Sequence, residues 1–185
     1  MIYNLSLHTV GLVLGLLLVV LHGLAILHSE GTKKLLRAFP RSRQLGVILL
    51  TVDAIWAFLL VSEMDLGEFT QWREWILTAI VAGYFLTLIY VDEFLSVRAL
   101  GILALLAAEP LLEAAFLQPE ASSLLVTVIA YAWATLGLFW VGMPYLLRDQ
   151  INWVSKTDGR WRLAAIGGLL YGAAVLFFAI TQYGN

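Results

Sequence analysis

The sequence predicts an all-α, polytopic integral membrane protein: a six-transmembrane-helix bundle with short loops and with both termini on the outer, non-cytoplasmic side. Two observations carry this prediction, the composition and the placement of the basic residues. Of the 185 residues, 61% are hydrophobic and 13% are charged, and the mean hydropathy is +0.88. Soluble domains are about half apolar and a quarter charged. The composition therefore indicates a chain that lies largely in lipid.

Six apolar stretches are long enough to cross the ~30 Å hydrocarbon core of a bilayer as helices. We predict spans at about 5–27, 45–62, 73–91, 98–117, 123–147 and 163–182, which form a single transmembrane domain over 1–185. Residues of the two halves match at an offset of about 90, for example Gly11 with Gly101 and Gly83 with Gly172. These matches allow a 3+3 inverted repeat, the plan of many transporters, but chance pairing in glycine-rich helices explains them as well.

The basic residues predict the orientation. Ten of the eleven Lys and Arg residues lie in the segments 28–44, 92–98 and 148–162, and Arg73 is the exception. Cytoplasmic loops of membrane proteins carry the excess of positive charge, so we expect these three loops to face the cytoplasm, with the chain in a bacterial-type inner membrane. We interpret 28–44 as a solvated basic loop. The alternative is a short surface helix with Leu35, Leu36 and Phe39 inward and Pro40 at its end.

Two further patterns concern the packing of the spans. Aromatic residues near the span ends are predicted to anchor them at the membrane interface: Trp72, Trp75, Tyr145, Trp153, Trp161 and Tyr183. Small residues recur every four positions and predict close helix contacts: Gly11 and Gly15; Ala79, Gly83 and Thr87; Ala164, Gly168 and Gly172.

Three carboxylates lie deep in the predicted spans. Asp53 and Glu109 are placed near the middle of theirs, and Glu113 is one turn beyond Glu109. A charge at the bilayer centre costs at least ~2.5 to 3.5 kcal/mol, so we predict a proton or cation site at Asp53, Glu109 and Glu113. Glu109 and Glu113 share a helix face, about 40° apart, and two ionised carboxylates there would repel each other, so we expect at least one of the two glutamates to take up a proton near neutral pH. Pro110 is predicted to kink the helix between them.

The same three carboxylates also allow a purely structural interpretation. They could hydrogen-bond Tyr, Trp, Ser or Thr side chains across helices, or face a neighbouring subunit. Candidate partners at comparable depth are Thr51, Tyr84, Thr127, Tyr131, Trp133 and Tyr171.

The first span carries two histidines that are candidate pigment ligands. His8 and His22 are roughly 21 Å apart along the axis and within about 40° of one face, a spacing that resembles the stacked haem ligands of diheme cytochromes b. No second predicted span carries a His. A haem or chlorin would therefore need a single protein ligand, a homodimer or a partner subunit, and we otherwise predict no cofactor.

Most familiar chemistries are excluded. The chain has no Cys, no Lys within a span, no His-Glu-x-x-His and no phosphate loop, so it lacks thiolate chemistry, a retinal Schiff base and these enzyme motifs. We identify no catalytic residue and no metal site, and we expect neither an enzyme nor a nucleic-acid partner.

Two functions fit a chain with short loops and polar groups in its spans. We favour a structural or accessory subunit, or assembly partner, of a larger membrane complex. The alternative is a small proton- or cation-coupled transporter or channel that works through Asp53, Glu109 and Glu113; the pigment-binding subunit is a third. The expected partners are the lipid bilayer and, within it, further copies of the chain or other membrane subunits.

Overall fold

The structure, a computed structural model, describes residues 3, 5–91, 93–119 and 121–183, and within these it contains eight α-helices and no strand. The helices are α1 (Leu7–Leu27), α2 (Ser29–Ala38), α3 (Arg43–Glu63), α4 (Arg73–Tyr90), α5 (Leu95–Ala115), α6 (Ser123–Gly142), α7 (Tyr145–Val154) and α8 (Asp158–Thr181). Six of them, all except α2 and α7, are long and apolar enough to cross a membrane. The predicted all-α bundle of six spans is thereby confirmed. The inverted repeat stays a prediction.

The basic segment 28–44 is largely helical, so its interpretation as a solvated loop is wrong. Ser29–Ala38 forms α2, and a short 3₁₀ turn that contains Pro40 follows it. The helix forms because its Lys33 side is buried against the bundle, whereas Leu35 stays 62% exposed. The alternative interpretation, a short helix ended by Pro40, is the correct one for the secondary structure, although Leu35 does not point into the bundle.

The predicted ends of the last two spans also need correction. α6 ends at Gly142 instead of 147, because Pro144 has no amide hydrogen to continue the helix and instead begins α7. α8 begins at Asp158 instead of 163, because the Thr157 hydroxyl accepts a hydrogen bond from the Arg160 amide at 3.4 Å and caps the first turn.

Two of the predicted interfacial anchors are buried in the bundle. Trp161 is buried inside the first turn of α8, and its indole N–H donates to the Ala25 carbonyl at 2.9 Å. Tyr183 is also buried, and its hydroxyl donates to the Ser122 carbonyl at 2.6 Å. Both aromatic residues join helices. The four other predicted anchors are exposed.

α5 is the central helix of the bundle. It packs against α3 on one side and α6 on the other, it touches α1, and it has more buried positions than any other described helix. α1 and α8 form a second close pair, and α4 lies at the edge against α3 with no buried residue. The bundle therefore has a tight side, α1–α8, and a loose side, α3–α4.

The small-residue stripes of α1 and α8 pack against each other. A Cβ at Gly15 would lie 2.8 Å from the backbone nitrogen of Leu176, and one at Gly172 would lie 2.6 Å from the Cβ of Leu18. Real side chains do not approach this closely, so only glycine permits the two backbones to meet. The third predicted stripe, on α4, is open: a Cβ at Gly83 would meet nothing within 4 Å.

Candidate functional site

Asp53 lies at the midpoint of α3 and is the most isolated polar side chain of the described structure. It is 2% exposed, and neither carboxylate oxygen has a hydrogen-bond partner among the described residues. A buried polar group without a hydrogen bond is costly, and a buried unpaired charge is far more costly. The position therefore calls for something that neutralises or binds the carboxylate.

A cavity of about 190 Å³ adjoins Asp53 between α3, α4 and α5. Its walls are mostly apolar, and the polar groups that line it are Asp53, Tyr84 and Thr87; no Lys, Arg or His contributes to the described lining. The space exists because small residues face it, among them Gly83 and Ala57. Asp53 thus borders a pocket whose described lining holds no protein cation, and both of its carboxylate oxygens are buried.

The hydroxyl of Tyr84 does not supply a proton to Asp53. The Thr51 hydroxyl donates to the Val47 carbonyl at 2.7 Å, and the Tyr84 oxygen lies 3.0 Å from the same Thr51 oxygen. Because Thr51 has used its only hydrogen, Tyr84 must be the donor in the second bond. The phenol oxygen keeps its acceptor capacity. The cavity wall therefore offers oxygen atoms as ligands, which suits a hard cation or a protonated water.

Glu109 and Glu113 form a separate group from Asp53. A Cβ at Gly46 of α3 would lie 2.7 Å from the backbone nitrogen of Ser96 in α5, which sets the register of these parallel helices. Asp53 is then level with about residue 103, so Glu109 lies roughly 9 Å farther along the axis. Asp53 is at the middle of its helix, whereas Glu109 and Glu113 occupy the last third of α5.

Tyr3 joins this second group to α3. Its backbone N–H donates to Oε2 of Glu113 at 3.3 Å, and its hydroxyl accepts a 2.7 Å hydrogen bond from the indole N–H of Trp56. Burial raises the pKa of the Tyr3 hydroxyl above its usual range, and the nearby carboxylates of Glu109 and Glu113 add to this effect. Oε2 of Glu109 is buried with no hydrogen-bond partner among the described residues.

Sequence reasoning missed Tyr3 and Trp56. Trp56 follows Asp53 by three residues and so lies near its helix face, a signal that was available. Tyr3 precedes the first helix, and nothing in the local pattern places it against α3 and α5. Pro110 lies inside α5, which remains helical from Leu95 to Ala115; the kink stays a prediction.

The two candidate pigment ligands lie far apart on α1. Nδ1 of His22 lies 2.8 Å from the Leu18 carbonyl, which accepts only, so Nδ1 carries the hydrogen. The ring rests on Gly168, where an added Cβ would overlap it. His8 is half-buried near the other end of the helix. No group of three or more His, Asp or Glu able to hold a metal ion occurs among the described residues. Haem or chlorin ligation stays a prediction.

Comparison with known proteins adds no relative. No protein-family model matches the chain, and no curated protein and no solved structure is significantly similar to it. The geometry around Asp53 is therefore the strongest guide to function.

Proposed function

We propose that the protein binds a proton or a monovalent cation at Asp53 and works as a small proton- or cation-coupled transporter or channel. One observation supports this above all: Asp53, at the midpoint of a membrane-length helix and 2% exposed, has no described hydrogen-bond partner for its carboxylate and borders a cavity. Ionisable residues inside membranes are rare and commonly line ion and proton pathways.

The charge of the site favours a single positive charge on the ligand. Asp53 is the only acid that lines the described cavity, so one proton or one monovalent ion neutralises it completely. A divalent ion would leave one net charge in a low-dielectric surrounding, which is strongly unfavourable. Tyr84 and Thr87 add neutral oxygen atoms and leave this balance unchanged.

A flux assay tests the proposal. The protein is reconstituted in liposomes, a gradient of H⁺, Na⁺ or K⁺ is imposed, and its collapse is followed with an internal dye. We expect the wild type to dissipate at least one gradient and Asp53→Asn to return the rate to that of empty liposomes. Glu63→Gln is the matched control, because it removes an exposed carboxylate from the end of the same helix. Equal rates in wild type and Asp53→Asn, or no flux in the wild type, would overturn the proposal.

A second candidate, a subunit of a larger membrane assembly, is favoured by the loose attachment of α4. This helix buries no residue, and Ala79, the first residue of its small-residue stripe, is exposed. Small residues on an open helix face allow another transmembrane helix to approach closely. The partner is a second copy of the chain or a different membrane subunit.

Crosslinking distinguishes the two candidates. Because the chain has no Cys, Ala79→Cys introduces a unique thiol on the exposed face of α4. After gentle purification from native membranes, crosslinking of a defined foreign subunit at this position, together with unchanged flux in Asp53→Asn, favours the accessory role. A protein that stays free of other subunits and transports favours the first proposal.

We further propose that the end of the bundle with α2 and α7 faces the cytoplasm of a bacterial-type inner membrane, with both termini outside. The excess of Lys and Arg in 28–44, 92–98 and 148–162 supports this. Single cysteines introduced at Lys34 and at Glu68 should react with an impermeant maleimide from opposite sides, Glu68 from outside in intact cells. Labelling of Lys34→Cys from outside would reverse the orientation.

A further inference from the structure

A second cavity, of about 320 Å³, lies at the end of the bundle that carries α2 and α7. It is lined by residues of α1, α2, α7 and α8, and most of its surface is apolar, with Ala25, Leu36, Val154, Trp161 and Ala164 among the lining residues. His22 and Thr32 are its polar lining residues. Two of the four helices, α2 and α7, are too short to span a membrane. The cavity therefore lies where spanning helices meet surface helices, at the boundary between hydrocarbon and headgroups.

Two polar contacts fix the surface helices above this cavity. The ammonium of Lys33 is bonded to Asp158 at 2.6 Å and to Glu30 at 2.9 Å, which ties α2 to the start of α8. The guanidinium of Arg37 donates through Nε to the Ser155 hydroxyl at 2.8 Å and through Nη2 to the Ser155 carbonyl at 2.6 Å. Bonds from α2 to the segment that joins α7 to α8, and to the start of α8, therefore fix the position of α2 beside the cavity.

Arg37 differs from Lys33 in its charge balance. Lys33 is neutralised by two carboxylates, whereas no carboxylate of the described residues lies within ion-pair distance of Arg37. Leu36 precedes Arg37 in the chain and Val154 precedes Ser155, and both of these neighbours line the cavity. Arg37 itself is not a lining residue, but its contact with Ser155 lies beside the cavity. Its Nη1 donates no hydrogen bond within the part of the chain that the structure describes, and the residue is exposed.

From this arrangement we infer that the cavity is a binding site for an anionic phospholipid. An acyl chain fills the apolar space, and the headgroup phosphate accepts from Arg37 beside it. Guanidinium groups match the geometry of phosphate oxygens, and basic pockets between helices at the membrane surface recognise anionic lipids. A free phosphate would leave the apolar volume empty, and a zwitterionic lipid would place its own cation near Arg37.

Native mass spectrometry tests the inference. The protein is equilibrated with equimolar phosphatidylglycerol and phosphatidylcholine, and the retained lipid is identified by its mass. We expect one bound lipid with a preference for phosphatidylglycerol, and a fall of about fivefold in that preference in Arg37→Gln, the size expected of one basic side chain near an anionic headgroup. Lys34→Gln is the matched control, since it removes one exposed charge from the same helix, and it should keep the preference.

Further variants and a headgroup control distinguish binding of the whole lipid from binding of its headgroup alone and from a folding defect. Ala164→Phe fills the cavity and should reduce retention of both lipids, and Arg37→Lys keeps the charge and should keep most of the preference. Glycerol phosphate, the headgroup alone, should neither bind nor compete. Equal retention of the two lipids by wild type, equal effects of Arg37→Gln and Lys34→Gln, or binding of glycerol phosphate would overturn the inference. If Arg37→Gln does not fold, unchanged lipid retention in Ala164→Phe overturns it.

Discussion

The two sides of the bundle are packed differently: the α1–α8 side closely and the α3–α4 side loosely. α1 and α8 meet backbone to backbone through Gly15 and Gly172, where no Cβ fits. α4, by contrast, buries no residue, and Gly83 lines the cavity that α4 forms with α3 and α5. Asp53 borders this cavity and has no hydrogen-bond partner among the described residues. In lipid, helices associate through close packing and hydrogen bonds because burial of apolar surface adds little. The tight pair is thus the scaffold, and the loose pair is where binding and movement are least restricted.

The largest effect should come from filling the two glycine positions. Gly15→Leu places a side chain against the Leu176 backbone, which has no freedom to give way, so we expect the bundle to lose ~3 kcal/mol or more. Gly83→Leu places its side chain in the cavity beside Asp53, where an added Cβ meets nothing within 4 Å, and because leucine is a better helix former than glycine, stability should stay equal or rise. Unfolding in mixed detergent with increasing SDS measures both variants.

One result would contradict this difference between the Gly15 and Gly83 variants. If Gly83→Leu destabilises the protein as much as Gly15→Leu does, the space beside Gly83 is filled in solution, and α4 is not loosely packed. Gly15→Ala is a milder check, since even one methyl group would lie 2.8 Å from the Leu176 nitrogen.

Removing the unsatisfied carboxyl from the loose side should stabilise the protein. Asp53→Leu replaces a buried polar group that has no described partner with an apolar one, and the adjoining cavity has room for the larger side chain. We expect a gain of about 1 to 2 kcal/mol, together with loss of flux. Such a gain is typical of functional sites, where activity is retained at the expense of stability. A loss of stability in Asp53→Leu would instead indicate that Asp53 has a structural hydrogen bond in the folded protein.

The sequence predicts the scaffold better than the site, for a physical reason. Span length and charge placement depend on the bilayer, which is the same for every chain, so the six long helices can be predicted from the sequence. The small-residue stripes on α1 and α8 can be predicted as well, because they follow the periodicity of the helix. Asp53 is readable as well, because an acid in an apolar run is conspicuous. The contacts of Tyr3 with Trp56 and Glu113 depend on how distant segments meet, and no local pattern encodes that.

Arg73 shows the same limit in a single residue. Its sequence position makes it the exception to the charge pattern, with Glu74 as the obvious partner. In the structure its guanidinium donates to the carbonyls of Ser62 at 2.8 Å and Met64 at 2.7 Å. These carbonyls lie at the end of α3, where helices leave acceptors unpaired and favour a positive charge.

This contact joins the start of α4 to the end of α3, so Arg73→Gln should loosen the loose side further. We expect a cost of ~0.3 to 1 kcal/mol and faster amide hydrogen exchange in 64–75, with α1 and α8 unchanged. Arg162→Gln, which removes an exposed arginine from α8, serves as the control. Faster exchange in α1 and α8 as well would show that the two sides do not open independently.

The smallest expected effect concerns the ion pairs of Lys33, which connect α2 to α8 on the tight side. Hydrogen bonds from Lys33 to Asp158 and then to Glu30 raise the pKa of Lys33 above its ordinary value of 10.5. A raised pKa means that the contribution of Lys33 to stability is complete below about pH 10.5 and is lost as the pH rises through the folded-state value. The effect is modest, because the side chains of Glu30 and Asp158 are 86% and 76% exposed and solvent screens both pairs.

The measurement is the change in the unfolding midpoint between pH 9 and pH 11.5. This change should be larger in wild type and in Lys34→Gln than in Lys33→Gln. If Lys33→Gln keeps the full pH dependence, the ion pairs of Lys33 do not stabilise the contact between α2 and α8.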